Sequence, residues 1–105
     1  MSGIRDSLHE LIARLTRQHG RCTHLDQVIE GVERGSEGCE ACLEAGMRWV
    51  HLRMCLTCGQ VGCCMASEGR HALAHFDQTG HPIIRSLEPG EDWRYCFADW
   101  KELEP

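Results

Sequence analysis

Residues 55 to 63 read Cys55-Leu-Thr-Cys58-Gly-Gln-Val-Gly-Cys63, and His71, His75 and His81-Pro82 follow close behind. A Cys-x-x-Cys turn lets two thiolates converge on one zinc ion at about 2.3 Å, and tetrahedral closure takes two further ligands from elsewhere in the chain. A second such turn, Cys39-Glu-Ala-Cys42, lies upstream, and Cys22-Thr-His24 precedes both. Two Cys-x-x-Cys pairs followed by spaced histidines are a strong zinc signal. His71 and His75 are four residues apart in a segment, Glu68 to Phe76, that reads as a short helix, so they share a face. They could close one site together or serve two neighbouring sites; spacing leaves both open.

Composition points the same way. The chain has 105 residues, enough for one small domain. Leu, Ile, Val and Phe make up only one residue in five, at the margin of what folds unaided, so the core needs staples. Eight cysteines and seven histidines supply them, as disulfides or as metal ligands. The N-terminus lacks the features of a signal peptide, and no apolar run approaches the roughly 20 residues of a membrane span. The expectation is a cytoplasmic protein without a membrane partner, in a compartment where structural disulfides are rare and zinc is the better reading. A formal charge of -5 and a pI near 5.7 argue against nucleic acid, whose phosphates require a basic face.

Around the ligand groups the organisation is coarse. Ile4, Leu8, Leu11, Ile12 and Leu15 recur at helical spacing between residues 3 and 19, with Ser2 as a possible N-cap and Gly20 as the stop. Residues 1 to 20 are thus expected to form an amphipathic helix, packed on its own domain or on a partner, and residues 21 to 105 the domain proper. Leu25 to Val32, Trp49 to Arg53, Gln60 to Gly62, Pro82 to Leu87 and Trp93 to Phe97 are strand candidates, with turn chemistry at Glu88-Pro89-Gly90-Glu91. The fold class is α+β: a small zinc-stabilised domain with a twisted antiparallel sheet flanked by helices, plus the N-terminal helix.

The stretch from Cys55 to His81, with Cys22-Thr-His24-Leu, Cys39-Glu-Ala-Cys42, Trp49, Gly80-His81-Pro82 and Trp93 in order around it, resembles the UBP-type zinc finger. That family includes ubiquitin-binding domains of deubiquitinases and of a cytoplasmic histone deacetylase, and the version here is more similar to stand-alone prokaryotic-type members. The resemblance covers roughly residues 21 to 100. It implies interleaved zinc sites, with Cys39, Cys42, Cys63 and His71 on one ion and Cys55, Cys58, His75 and His81 on a second. The family's third site joins Cys22 and His24 to a Cys-x-x-Cys near the end. Here only Cys96 is present, so Asp99, which can offer an oxygen ligand, is expected to complete Cys22, His24 and Cys96.

Zinc with four protein ligands has no open position for water or substrate, and the chain carries neither a His-Glu-x-x-His helix nor a deaminase signature, so an enzyme is not expected. The resemblance implies instead a protein-interaction module that takes a flexible C-terminal tail of a ubiquitin-like protein or peptide into an aromatic slot. Trp49, Trp93 and Tyr95 stand where the family places its slot aromatics. The family's carboxylate-gripping arginine lies two residues after the ligating cysteine, where this chain has Met65. Arg94 is then the first substitute and Arg85 the second, with Arg70 also available. The competing reading is an assembly module in which zinc only builds the scaffold and the N-terminal helix or the acidic surface recruits a partner. Cys64 is left over, as a buried inert thiol or a redox-responsive one.

Overall fold

The computed structural model describes residues 23 to 103. The expected N-terminal helix and Cys22 lie outside the described residues. Five short strands, β1 (Leu52–Cys55), β2 (Val61–Cys63), β3 (Ile83–Ser86), β4 (Arg94–Cys96) and β5 (Lys101–Leu103), form one antiparallel sheet in the order β2-β1-β3-β4-β5. Two helices accompany them, α1 (Glu40–Ala45) and α2 (His71–Thr79). The α+β class read from the sequence is what the chain adopts.

Register assigns each side chain to a face, because successive residues of a strand alternate. Arg53 and Gly62 are paired, as are Cys55 and Ile84, and Ile84 and Tyr95. These residues share one face, against which α2 packs Ala72, Leu73 and Phe76 beside Ile84 and Phe97. Met54, Ile83, Cys96 and Leu103 occupy the opposite face, where Val28 and Val32 cover them. At the β2 edge of the sheet Leu52, Val61 and Cys63 pack with Cys39 and Cys42 of the α1 region. The core is therefore three small apolar clusters, each adjoining a group of metal-ligating side chains.

Departures from expectation have local causes. Leu25 to Val32 is not a strand: it makes a 3₁₀ turn (Leu25–Gln27) and then crosses the sheet face. Both edges of β1 are already taken by β2 and β3, so Ile29 contributes a single bond, to the Leu56 carbonyl, rather than a ladder. α1 was hidden because six residues, Glu-Ala-Cys-Leu-Glu-Ala, are too few to show periodicity. β5, three residues long, carries no alternation that could reveal it.

Candidate metal centre and adjoining cavity

β2 is an edge strand, with α1 meeting it from one face and α2 from the other. Ligand groups on all three elements therefore converge around that edge. Cys39 ends the loop before α1, Cys42 lies within α1, Cys63 ends β2 and His71 opens α2. His71 Nδ1 lies 3.3, 3.3 and 3.4 Å from the sulfurs of Cys39, Cys42 and Cys63, and the Cys42 and Cys63 sulfurs are 3.6 Å apart. A tetrahedron with Zn–S of about 2.3 Å and Zn–N of about 2.0 Å has edges of roughly 3.8 Å between sulfurs and 3.5 Å between sulfur and nitrogen. The donors lie close to those edges, and the two sulfurs are far beyond the roughly 2.05 Å of a disulfide.

Electrostatics explains why such a cluster calls for a cation. Burial, and then hydrogen bonds with Cys39 and Cys63, push the Cys42 thiol up to about 12. Three adjacent thiolates repel one another in a dry site, and only a positive charge among them lets all three ionise. The His71 amide donates to Cys63 Sγ at 3.2 Å and the Thr57 amide to Cys55 Sγ at 3.4 Å, bonds that favour the thiolate form.

A second group forms where the β1–β2 turn faces α2. Cys55 Sγ is 3.6 Å from His81 Nδ1, and Cys58 Sγ is 3.4 Å from His75 Nε2. The four ligand atoms of Cys55, Cys58, His75 and His81 lie within 4.8 Å of one another. Burial, and next the neighbouring His81, hold His75 below the ordinary histidine range, so its ring stays neutral and able to ligate. Burial raises the Cys55 thiol. Gly59 closes this turn at a φ of +85°, with its Cα facing the Glu33 carbonyl so closely that no side chain fits.

The third group is smaller and wetter. His24 Nδ1 is 3.1 Å from Asp99 Oδ2 and 3.6 Å from Cys96 Sγ, and the His24 and Asp99 side chains are about one-third exposed. Its fourth expected member, Cys22, falls outside the described residues. Replacing Asp99 by Ala is expected to lower the zinc content of the native protein by one ion, as counted by native mass spectrometry. An unchanged count would remove Asp99 from the ligand set.

The first two groups offer four donors each, of the types and spacing that tetrahedral zinc takes, and the third offers three among the described residues. The comparisons with known proteins agree. Residues 39–105 match the family model described as a Zn-finger in ubiquitin-hydrolases and other protein. The chain belongs to the UBP-type zinc-finger family. It is a zinc-binding module with Cys/His clusters compatible with two or three ions. Ubiquitin carboxyl-terminal hydrolase 14 of Schizosaccharomyces pombe is 36% identical over 110 residues, covering 89% of this chain but 14% of that protein. The NAD-dependent deacetylase sir2A of Dictyostelium discoideum is 39% identical over 67 residues, covering 64% of this chain and 12% of its own length. The chain thus spans about one-seventh or less of these enzymes. Among solved structures, the solution structure of protein RPA1320 from Rhodopseudomonas palustris superposes with a TM-score of 0.72 at 45% identity, covering 80% of this chain and 81% of that one.

Beside the ligand groups, on the α2 face of the sheet, this UBP-type finger carries a cavity of about 320 Å³. Trp93, Tyr95, Phe97 and Trp100 wall it, and Ile84, Met65, Arg53 and His51 are among the other lining residues. Two of the aromatics expected at a slot, Trp93 and Tyr95, are there; Trp49 is not. Its ring lies over Gly38 and packs on the Cys39–Cys63 cluster, because it precedes β1 and takes the β2-edge side. Arg85 and Arg94 also miss the cavity. They pair across β3 and β4, one residue out of step with Ile84 and Tyr95, which sends both to the opposite face. Cys64 borders the cavity rather than a metal group. Burial would raise its thiol, but hydrogen bonds from Ser67 and surrounding backbone outweigh that and lower it to about 7.

Arg53 and Trp100 are among the lining residues that escaped the sequence reading. Arg53 of β1 stacks over the ring of Trp93, the residue just before β4, at 4.5 Å; β3 lies between β1 and β4, so no local spacing encodes the contact. Trp100 occupies the β4–β5 turn at a φ of +55°, a conformation bulky residues rarely adopt. Its only sequence signal was an aromatic in a region already rich in them.

Proposed function

We propose that this domain is a non-catalytic protein-interaction module that receives a flexible C-terminal tail of a ubiquitin-like protein or peptide in the aromatic cavity. Zinc at Cys39, Cys42, Cys63 and His71, at Cys55, Cys58, His75 and His81, and at Cys22, His24, Cys96 and Asp99 serves to hold the cavity walls in place. With four ligands from each set zinc would have no position left for a reacting water or substrate. Residues 21 to 105 form the interaction domain in this reading, with residues 1 to 20 as an added helix.

One observation carries the reading: four aromatic rings converge on a single concave site, and one of them, Trp100, is held in a strained backbone conformation at its wall. Large aromatic walls suit an extended, small-residue chain, which slides between rings where a bulkier side chain would not. Strain of this kind persists where the surrounding structure fixes a residue for a purpose. The relative whose name concerns ubiquitin chemistry, the fission yeast hydrolase, matches 89% of the chain.

The test is titration of a fluorescent tail peptide into zinc-loaded protein and into Trp93→Ala, Tyr95→Ala and Trp49→Phe variants. Truncating an aromatic that acts as a binding hot spot costs about 2 kcal/mol or more, or roughly 30-fold in affinity. Trp93→Ala and Tyr95→Ala should show that loss, while Trp49→Phe should bind as the parent does. Equal binding by all four proteins would place the ligand elsewhere.

A further inference from the structure

The third ligand group differs from the other two in its donors and in its surroundings. The first offers three thiols and an imidazole and the second two of each, whereas His24, Cys96 and Asp99 offer one imidazole, one thiol and one carboxylate among the described residues. Thiolate is the softer donor and favours zinc, while a carboxylate oxygen suits harder ions as well. Cys39, Cys42 and Cys63 are fully buried, but the His24 and Asp99 side chains are 32% and 29% exposed, so water and competing ligands reach them. The first two groups also tie β1, β2, α1 and α2 to one another. His24 lies just before the 3₁₀ turn, and its contacts with Asp99 and Cys96 span 75 and 72 residues. Loss of an ion here frees one turn of the sheet from one end of the described chain, a local opening that leaves the other ligands assembled.

That turn also carries cavity walls. Cys96 ends β4 and Asp99 lies in the link to β5, while Tyr95, Phe97 and Trp100, interleaved with them, line the cavity. The sheet fixes both ends of the link: Cys96 pairs with Ile83 on one side and Lys101 on the other, and the Phe97 amide donates to the Pro82 carbonyl at 2.8 Å. Between those ends Asp99 Oδ2 meets His24 Nδ1 at 3.1 Å, and the next residue, Trp100, sits at a φ of +55°. A bulky residue keeps that conformation only where its surroundings impose it. The ligand contact one residue away is such an imposition.

We infer that His24, Cys96 and Asp99 form an exchangeable zinc site, the first of the three to give up its ion, and that its occupancy holds Trp100 at the cavity wall. Zinc supply then regulates the cavity: with the site filled the aromatic wall is complete, and without the ion Trp100 relaxes out of its left-handed backbone and that side opens. The regulatory consequence rests on the reading of the cavity as the binding site; the coupling of zinc to Trp100 does not.

The experiment titrates zinc-loaded full-length protein with limiting EDTA, one ion's worth at a time. It follows ions per chain by native mass spectrometry, far-ultraviolet circular dichroism, and tryptophan emission with acrylamide quenching. A step from three ions to two should come first, with unchanged circular dichroism, a red shift in emission and readier quenching, all reversed by added zinc. Trp100→Phe should lose the same ion without the emission change, while Trp93→Phe and Trp49→Phe should still show it. Asp99→Ala should start at two ions with its emission already shifted; should that variant fail to fold, the parent titration decides alone. The fluorescent tail peptide should bind the two-ion form roughly tenfold more weakly, short of the outright loss of a wall aromatic. Ions that leave together as the circular dichroism collapses overturn the exchangeable site, as does a parent that never carries more than two. A third ion that leaves with no emission change, or with one that persists in Trp100→Phe, overturns the hold on Trp100. Equal binding of the peptide by the three-ion and two-ion forms overturns the regulation. Binding by neither form overturns the cavity reading, while the ion count and the emission still decide the coupling of zinc to Trp100.

Discussion

Stripping zinc with a strong chelator at neutral pH is expected to unfold the described domain outright. Its apolar core consists of three small clusters, and a chain with one Leu, Ile, Val or Phe in five residues buries too little to offset its conformational entropy. Structural zinc in small domains is worth an apparent 10 to 16 kcal/mol, as much as or more than the whole stability of a typical domain. Circular dichroism during chelation, with released zinc followed by a colorimetric indicator, should show both signals lost together and restored on adding zinc back. A chelated protein that kept its near-ultraviolet spectrum would show that the apolar clusters suffice. Acid should act in the same direction. His75 is held below the ordinary 6.5, so the unfolded chain binds its proton more readily than the folded one does. Stability from this group is therefore full above the ordinary histidine range and is lost as pH falls below it. Protons competing for the thiolates add to that loss.

Gly62→Ala is the second change expected to have a large effect. Gly62 pairs with Arg53 and faces α2, where an added Cβ would meet the Ala72 nitrogen at 2.6 Å and the His71 carbonyl carbon at 2.9 Å. Those are backbone atoms at the start of a helix, and no side-chain rotation can relieve the clash. Either β2 or the first turn of α2 must shift, and with it Cys63 or His71. A cost of about 3 kcal/mol is expected, the upper end for overpacking, which for a domain of this size lowers Tm by roughly 10 to 20 °C. Zinc at the Cys39, Cys42, Cys63 and His71 group should bind more weakly as well. Gly80→Ala is the control. That glycine has a φ of +78° but open space around it, so only the left-handed backbone is strained, at about 1 kcal/mol. Similar losses for the two variants would mean that conformation, rather than the approach of α2 to β2, sets the effect.

Legibility differed between parts of the molecule. Metal-ligating side chains could be read because Cys-x-x-Cys turns and helical His-x-x-x-His spacing are local geometry, written in consecutive residues. Ala72, Leu73 and Phe76 marked α2 for the same reason. Trp49 and Trp93 looked equivalent as aromatics, yet one covers the Cys39–Cys63 cluster and the other walls the cavity. Arg94 stood out because it lies between Trp93 and Tyr95 in sequence, with Arg85 as the second choice, and Arg53 was not singled out. A period of two on β3 and β4 sends them to the wrong face, and pairing through β3 brings Arg53 to the right one.

By itself the sequence determined that this chain would be a small, acidic α+β domain built on zinc. Too few apolar residues, too many thiols and imidazoles, and short-range ligand spacing left little else for the chain to be. Only the tertiary structure decided which aromatics share a cavity and which arginine faces it. Those are matters of strand order and register, and a shift of one residue in register exchanges the two faces of a strand without altering anything in the local sequence.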